Sequence, residues 1–176
     1  MKNLIVILLF SLVAFPSCAQ KSTKNENKVT LTPTTTYYLI RHAEKDRSDK
    51  SNPNPDLKQE GLQRAENWAE HFKEVNFDLI YSTNYNRTIQ TATPTAKANN
   101  LEIEIYNPSD LNIDEFRNKT KGKTVLIVGH SNTTPRFVND LLGDEKYDNI
   151  ADDNNANLYI VTITNDNISS EVLEIN

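Results

Sequence analysis

Apolar positions along the chain fall into short blocks whose period switches between two and about three and a half. Thr36-Tyr37-Tyr38-Leu39-Ile40 is a brief β-rich run. Residues 45–58, rich in Asp, Pro and Ser, read as a loop. From Gln59 to Val75, apolar Leu62, Ala65, Ala69, Phe72 and Val75 recur every three or four residues, which predicts a helix with those side chains buried. Trp68 lies near that face and is expected in the core, whereas His71 lies away from it and is expected in solvent. Asp78 to Tyr81 is a second strand. Tyr85 to Ala98 is a second helix, rich in β-branched residues and expected to kink at Pro94. Glu102 to Tyr106 alternates Glu and Ile, as a half-exposed strand does, and residues 112–119 can form a short helix. Lys123 to Val128 contains Val125-Leu126-Ile127-Val128, a strand apolar on both faces. Thr134 to Leu142 is a helix that Gly143 ends. After an acidic, Asn-rich loop over 144–156, Leu158–Thr164 and Glu171–Ile175 predict two terminal strands paired through Asn165-Asp166-Asn167. No internal repeat is visible.

Strands joined through helices predict an α/β domain with a mostly parallel sheet covered on both faces. In such sheets ligands bind beyond the carboxyl ends of the strands. There the first strand runs into Arg41-His42, the second leads through Ser82-Thr83 to Arg87, and the Lys123–Val128 strand runs into Gly129-His130-Ser131. Two histidines and two arginines therefore converge on one sheet edge. The chain as a whole is acidic, with 19 Lys and Arg against 24 Asp and Glu, which argues against a nucleic-acid partner. A positive pocket in a negative protein fits a phosphorylated substrate. Arginine offers a planar fork of donors to phosphate oxygens, and a neutral imidazole is a nucleophile that can carry a phosphoryl group.

The N-terminus has a different character. Lys2 is followed by the apolar run Leu4 to Phe15 and then Pro16-Ser17-Cys18, the layout of a secretory signal over residues 1–18. The apolar run is too short for the roughly 20 residues of a spanning helix. Cys18 is the only cysteine, so no intramolecular disulfide forms. Phe15-Pro16-Ser17-Cys18 resembles a lipobox loosely, which implies a lipid anchor on Cys18; cleavage after Ala19 is the alternative. Residues 19–35 read as a polar tether and 36–176 as the domain. The expected location is bacterial and exported, periplasmic or anchored at the outer membrane, with membrane contact only through Cys18.

The pocket residues resemble a known family. Arg41-His42-Ala43-Glu44 is similar to the Arg-His-Gly signature of the histidine phosphatase (phosphoglycerate mutase-like) superfamily. Thr83 to Ala92 resembles its Ser-x-x-x-Arg-x-x-x-Thr-Ala motif with Thr83 in place of Ser, Gly129-His130-Ser131 resembles its third motif, and Asp56-Leu57-x-x-x-Gly61 resembles its Pro-Leu-Thr-x-x-Gly segment. The resemblance spans about residues 36–164. It implies a three-layer α/β/α sandwich and a phosphoric monoester hydrolase acting on phosphomonoesters or phosphohistidine. It further implies His42 as the nucleophile that forms phosphohistidine, Arg41, Arg87 and His130 as phosphate ligands, and no metal or other cofactor. The proton donor it implies is an acidic residue between the second and third motifs. Asp110 is the first choice, with Asp114 and Glu115 as rivals.

Ala43 departs from the usual Gly, and Glu44 brings a carboxylate near the pocket, either to orient an arginine or to repel substrate. The compact domain favours a phosphatase over a mutase, which needs covering segments to keep water from its intermediate. A non-catalytic phosphate-binding envelope protein and a metal-dependent hydrolase remain the alternatives. The sequence lacks the ligand spacings expected of the latter. Coupled titration of the two histidines predicts a bell-shaped rate profile.

Overall fold

The structure is a computed structural model that describes residues 32–175. The expected leader and nearly all of the tether lie outside the described residues. Six strands and four helices follow in the order β1 (Thr34–Arg41), α1 (Gln59–His71), β2 (Leu79–Ser82), α2 (Asn86–Asn99), β3 (Ile103–Ile105), α3 (Ile113–Lys119), β4 (Thr124–Gly129), α4 (Thr133–Leu142), β5 (Asn157–Thr164) and β6 (Asn167–Glu174). The first strand begins at Thr34, so it takes in the last two residues assigned to the tether.

The sheet order is β3-β2-β4-β1-β5-β6. Strands β1 to β4 are parallel, as the helical crossovers require, while β5 runs antiparallel to both β1 and β6. The β5–β6 hairpin turns through Asn165 and Asp166, with Asn165 at a φ of 56°. Alternation along the strands divides the core into two layers. Tyr37, Leu39, Val125, Ile127 and Tyr159 face Phe116 of α3 and Phe137 of α4. Ile40, Ile80, Leu126, Val128 and Leu158 face Trp68 and Phe72 of the α1 segment and Ala92 and Ala96 of α2. The result is the expected three-layer α/β/α sandwich. Register places Arg41 opposite Gly129 and Ser82 opposite Val128, so β1, β2 and β4 end together and deliver their following residues to one place.

The first helix differs from its pattern. Its buried stripe is Gly61, Ala65 and Trp68, continued by Phe72, and Leu62 is 41% exposed. The reason is Gly61. A Cβ there would lie 2.2 Å from the carbonyl oxygen of Glu44, so the helix meets the His42 loop at its glycine and turns Leu62 outward. The helix also ends at His71 rather than Val75, because the chain turns to bury Phe77 edge-on against Phe72, with ring centroids 5.3 Å apart. His71 is exposed and Trp68 buried, as expected. The second helix continues past Pro94 to Asn99 and ends on Asn100 in the left-handed region.

Candidate active site

The His42 loop is fixed by its backbone. His42 N–H donates to the Gly129 carbonyl at 2.9 Å, and Asn155 Nδ2 donates to the His42 carbonyl at 2.7 Å. Ala43 N–H donates to Thr91 Oγ1 at 2.9 Å, and that hydroxyl donates onward to the Arg87 carbonyl at 2.7 Å. The Thr-Ala pair of the second motif therefore ties the His42 loop to the start of α2. Gly129 serves the same cluster. A Cβ on it would lie 2.7 Å from Thr134 Oγ1, so the third motif needs glycine there.

His42 itself is 4% exposed. Its Nδ1 lies 2.7 Å from the Ala43 carbonyl, which only an N–H can use, so Nε2 carries the lone pair. Burial pushes the imidazole down to about 3; the bond to Ala43 opposes this, and Arg41, His130 and Arg87 add to it. The imidazole is therefore neutral without a base to deprotonate it. His130 packs beside it, with ring centroids 5.4 Å apart, and burial followed by Arg87, Arg41 and Lys45 pushes its imidazole down to about 4.

The arginines are held differently. Arg41 is 3% exposed, and its Nη1 donates to the carbonyls of Ala151, Asp152 and Asn154 while Nη2 pairs with Asp152 Oδ1 at 3.1 Å. Arg87 lies over the Tyr85 ring at 4.4 Å and brings Nη2 to 3.5 Å from His130 Nδ1. Among the described residues, Arg41 Nε and Arg87 Nε and Nη1 are buried donors without a partner. Orphaned buried donors are uncommon and call for an explanation. An oxyanion between the two arginines would satisfy all three. The cavity that holds them measures about 480 Å³ and is lined by Arg41, His42, Arg87 and His130 together with Lys45, Arg136 and Asp152, among others.

The histidine phosphatase superfamily (branch 1) model matches residues 37–108, which include Arg41, His42 and Arg87. That segment of the chain is similar to the superfamily's. Among solved structures, the chain is similar to Bacillus stearothermophilus YhfR (14% identity, TM-score 0.65, 81% of this chain and 98% of that one). It is also similar to the protein histidine phosphatase SixA complexed with tungstate (16%, 0.61, 79% and 96%). A third is a phosphoserine phosphatase mutant from Entamoeba histolytica in complex with phosphoserine (16%, 0.60, 77% and 94%). These likenesses establish the phosphoglycerate mutase-like fold. No curated protein matches the sequence significantly. His130 lies beyond the family match and joins the cavity through the fold.

Four of the five expected site residues line this cavity; Asp110 does not. It is exposed, its carboxylate accepts from Asn107 Nδ2 at 2.6 Å, and it borders a separate hollow between Tyr106 and Lys119. Its rivals fare no better. Glu115 borders that same hollow, and Asp114 lies in another beside Arg117. The acid in the cavity is Asp152, from the acidic 144–156 loop, which pairs with Arg41 and with Arg47 at 2.9 Å. The Arg47 bond comes first in holding its carboxyl below the usual range. Glu44 points elsewhere and pairs with Arg64 of α1 at 2.7 Å. Lys45, Tyr85, Arg136, Asp152 and Asn155 carry no motif and could be found only by folding the chain. Among the described residues, no three His, Cys, Asp or Glu side chains gather as metal ligands would.

Proposed function

We propose that the protein hydrolyses small phosphomonoesters through a phosphohistidine on His42, without a metal. One observation carries the reading: three orphaned buried donors on Arg41 and Arg87 flank a histidine whose Nε2 holds its lone pair. A phosphoryl group between the arginines gives those donors acceptors and sets phosphorus before Nε2. The Nε2 pair forms the N–P bond, the P–O bond breaks, and the leaving oxygen takes its pair. No protonated carboxyl lines the cavity, since Asp152 is held as the carboxylate, so the leaving oxygen takes its proton from solvent. Water then attacks phosphorus, the N–P pair returns to Nε2, and the proton drawn earlier is released with phosphate. Arg41 and Arg87 neutralise charge on the phosphoryl oxygens through both steps. His130 joins them once the bound dianion raises its affinity for a proton.

The test is p-nitrophenyl phosphate hydrolysis with and without EDTA, beside His42→Ala. Activity that resists EDTA and vanishes in the variant, with an alkali-stable, acid-labile phosphoenzyme, supports the route. Activity lost to EDTA favours metal chemistry instead.

We also propose that the enzyme is exported and anchored through lipid on Cys18. Radiolabelled palmitate should enter the membrane-bound protein and be lost in Cys18→Ala. Label retained in that variant removes the anchor from the account.

A further inference from the structure

Arg41 and Arg87 share one cavity but are held in opposite ways. Three backbone carbonyls and the Asp152 carboxylate fix Arg41. Arg87 has no such support. Among the described residues it forms no ion pair, its Nε and Nη1 lack an acceptor, and Nη2 reaches only His130 Nδ1, at 3.5 Å. Its close support is an aromatic face: the guanidinium carbon lies 4.4 Å from the centre of the Tyr85 ring.

The placement comes from the start of α2. Residues two apart do not face each other along a helix. Tyr85 escapes that limit because it is the N-cap, with extended backbone at φ −133° and ψ 143°, while Arg87 is already helical. The Tyr85 carbonyl accepts from the N–H groups of Thr88 and Ile89 at 3.1 and 3.0 Å, so its backbone starts the helix whatever side chain it bears. The ring is left to line the cavity, and the residue is 40% exposed. Position 85 is unspecified in the Ser-x-x-x-Arg pattern, so the ring lies outside that motif. A π face suits the task. It attracts a cation within about 6 Å of its centre and occupies none of the cation's N–H donors. A carboxylate in its place would accept from those donors and cancel the charge that an oxyanion needs. Holding the side chain beforehand also lowers the entropy lost when a ligand orders it.

We propose that Tyr85 is a positioning residue that holds Arg87 by its ring face and keeps the guanidinium donors open for the phosphoryl group. The proposal rests on the phosphomonoesterase reading for its ligand, but it can be tested without turnover.

Inorganic phosphate is titrated calorimetrically into the full-length chain and its variants. Tyr85→Leu should weaken binding about three- to tenfold, the scale of a partly desolvated cation–π contact. Tyr85→Phe keeps the face and should restore most of the affinity. In an Arg87→Met background Tyr85→Leu should cost nothing further, because the ring acts through Arg87. An affinity in Tyr85→Leu within about 1.5-fold of the native value, or a Phe variant as weak as the Leu variant, overturns the proposal. So does a Leu loss that persists without Arg87, which would assign the ring to His130, its perpendicular neighbour at 5.0 Å. The parent reading fails separately, if p-nitrophenyl phosphate turnover does not depend on His42.

Discussion

His130 Nε2 lies 2.9 Å from Thr83 Oγ1, and that hydroxyl spends its own proton on Thr88 Oγ1 at 3.0 Å. Thr83 can therefore only accept from the imidazole, so Nε2 carries hydrogen and Nδ1 faces the cavity beside Arg87. Thr88 closes the relay by donating to the carbonyls of Thr83 and Tyr85, both at 2.9 Å. Two threonine hydroxyls thus choose a histidine tautomer. Thr83→Val should leave the fold intact and lower kcat/KM by roughly tenfold or more, the scale on which outer partners of a working imidazole act. Thr83→Ser should restore most of it. Steady-state kinetics on the three proteins decides. A loss in the Ser variant with none in the Val variant would mean that the methyl, not the hydroxyl, matters.

The two histidines make opposite demands on pH. His42, at about 3, is already neutral in the free enzyme, so kcat/KM should hold on its acid side until pH falls toward that value. His130, at about 4 in the empty cavity, must take up a proton when a phosphate dianion arrives. Phosphate binding near pH 6 should therefore consume protons, and activity should fall at alkaline pH as that proton is lost. Calorimetry in buffers of different ionisation heat reads the uptake directly. A profile with no alkaline limb, and no uptake, would leave His130 neutral throughout.

The same depressed values act on stability. Above the ordinary histidine pKa near 6.5 both states hold these imidazoles neutral. As pH falls below it the unfolded chain binds protons that the folded chain refuses, so stability is lost between about pH 6.5 and the folded values, at up to ~1.4 kcal/mol per pH unit for each histidine. Urea midpoints should drop from pH 7 to pH 5, and saturating phosphate should blunt the drop.

What the sequence made legible follows its local signals. Alternating blocks located every element, because strand and helix periods differ over short windows. The strand-end rule placed Arg41, His42, Arg87 and His130 correctly, since short apolar strands fix where their next residues emerge. Leu62 misled because glycine carries no weight in an apolar pattern, although Gly61 is the point of closest contact. Asp110 misled because distance along the chain says little about which loop residue turns inward. Asp152, Lys45 and Arg136 were invisible for the same reason: their places depend on long-range folding of loops, not on spacing.

Moving the carboxylate assignment from Asp110 to Asp152 has measurable consequences. Asp110→Asn should change turnover less than about threefold, well short of the usual loss of a general acid. Asp152→Asn removes the cavity's one negative charge, while three backbone carbonyls still orient Arg41. Inorganic phosphate should then inhibit at about two- to fivefold lower concentration, a modest gain because Asp152 is largely exposed and screened. Weaker inhibition would show instead that Asp152 is needed to hold Arg41 in place.

Gly61 links the stability of α1 to the chemistry of His42. The Glu44 carbonyl accepts from Lys58 N–H at 3.0 Å and sits under Gly61, two residues from the nucleophile. In Gly61→Ala the new methyl meets a backbone atom that has no rotamer to escape into, so either α1 lifts or the 42–44 loop shifts. Overpacking of this kind costs about 1–3 kcal/mol, against which a better helix former recovers up to about 1. A shift of the loop disturbs the Nε2 line to phosphorus, so kcat should fall more than stability alone accounts for. Measuring kcat well below the melting temperature, alongside the urea midpoint, separates the two. A variant with lowered stability and native kcat would show that α1 yields and the catalytic loop stays.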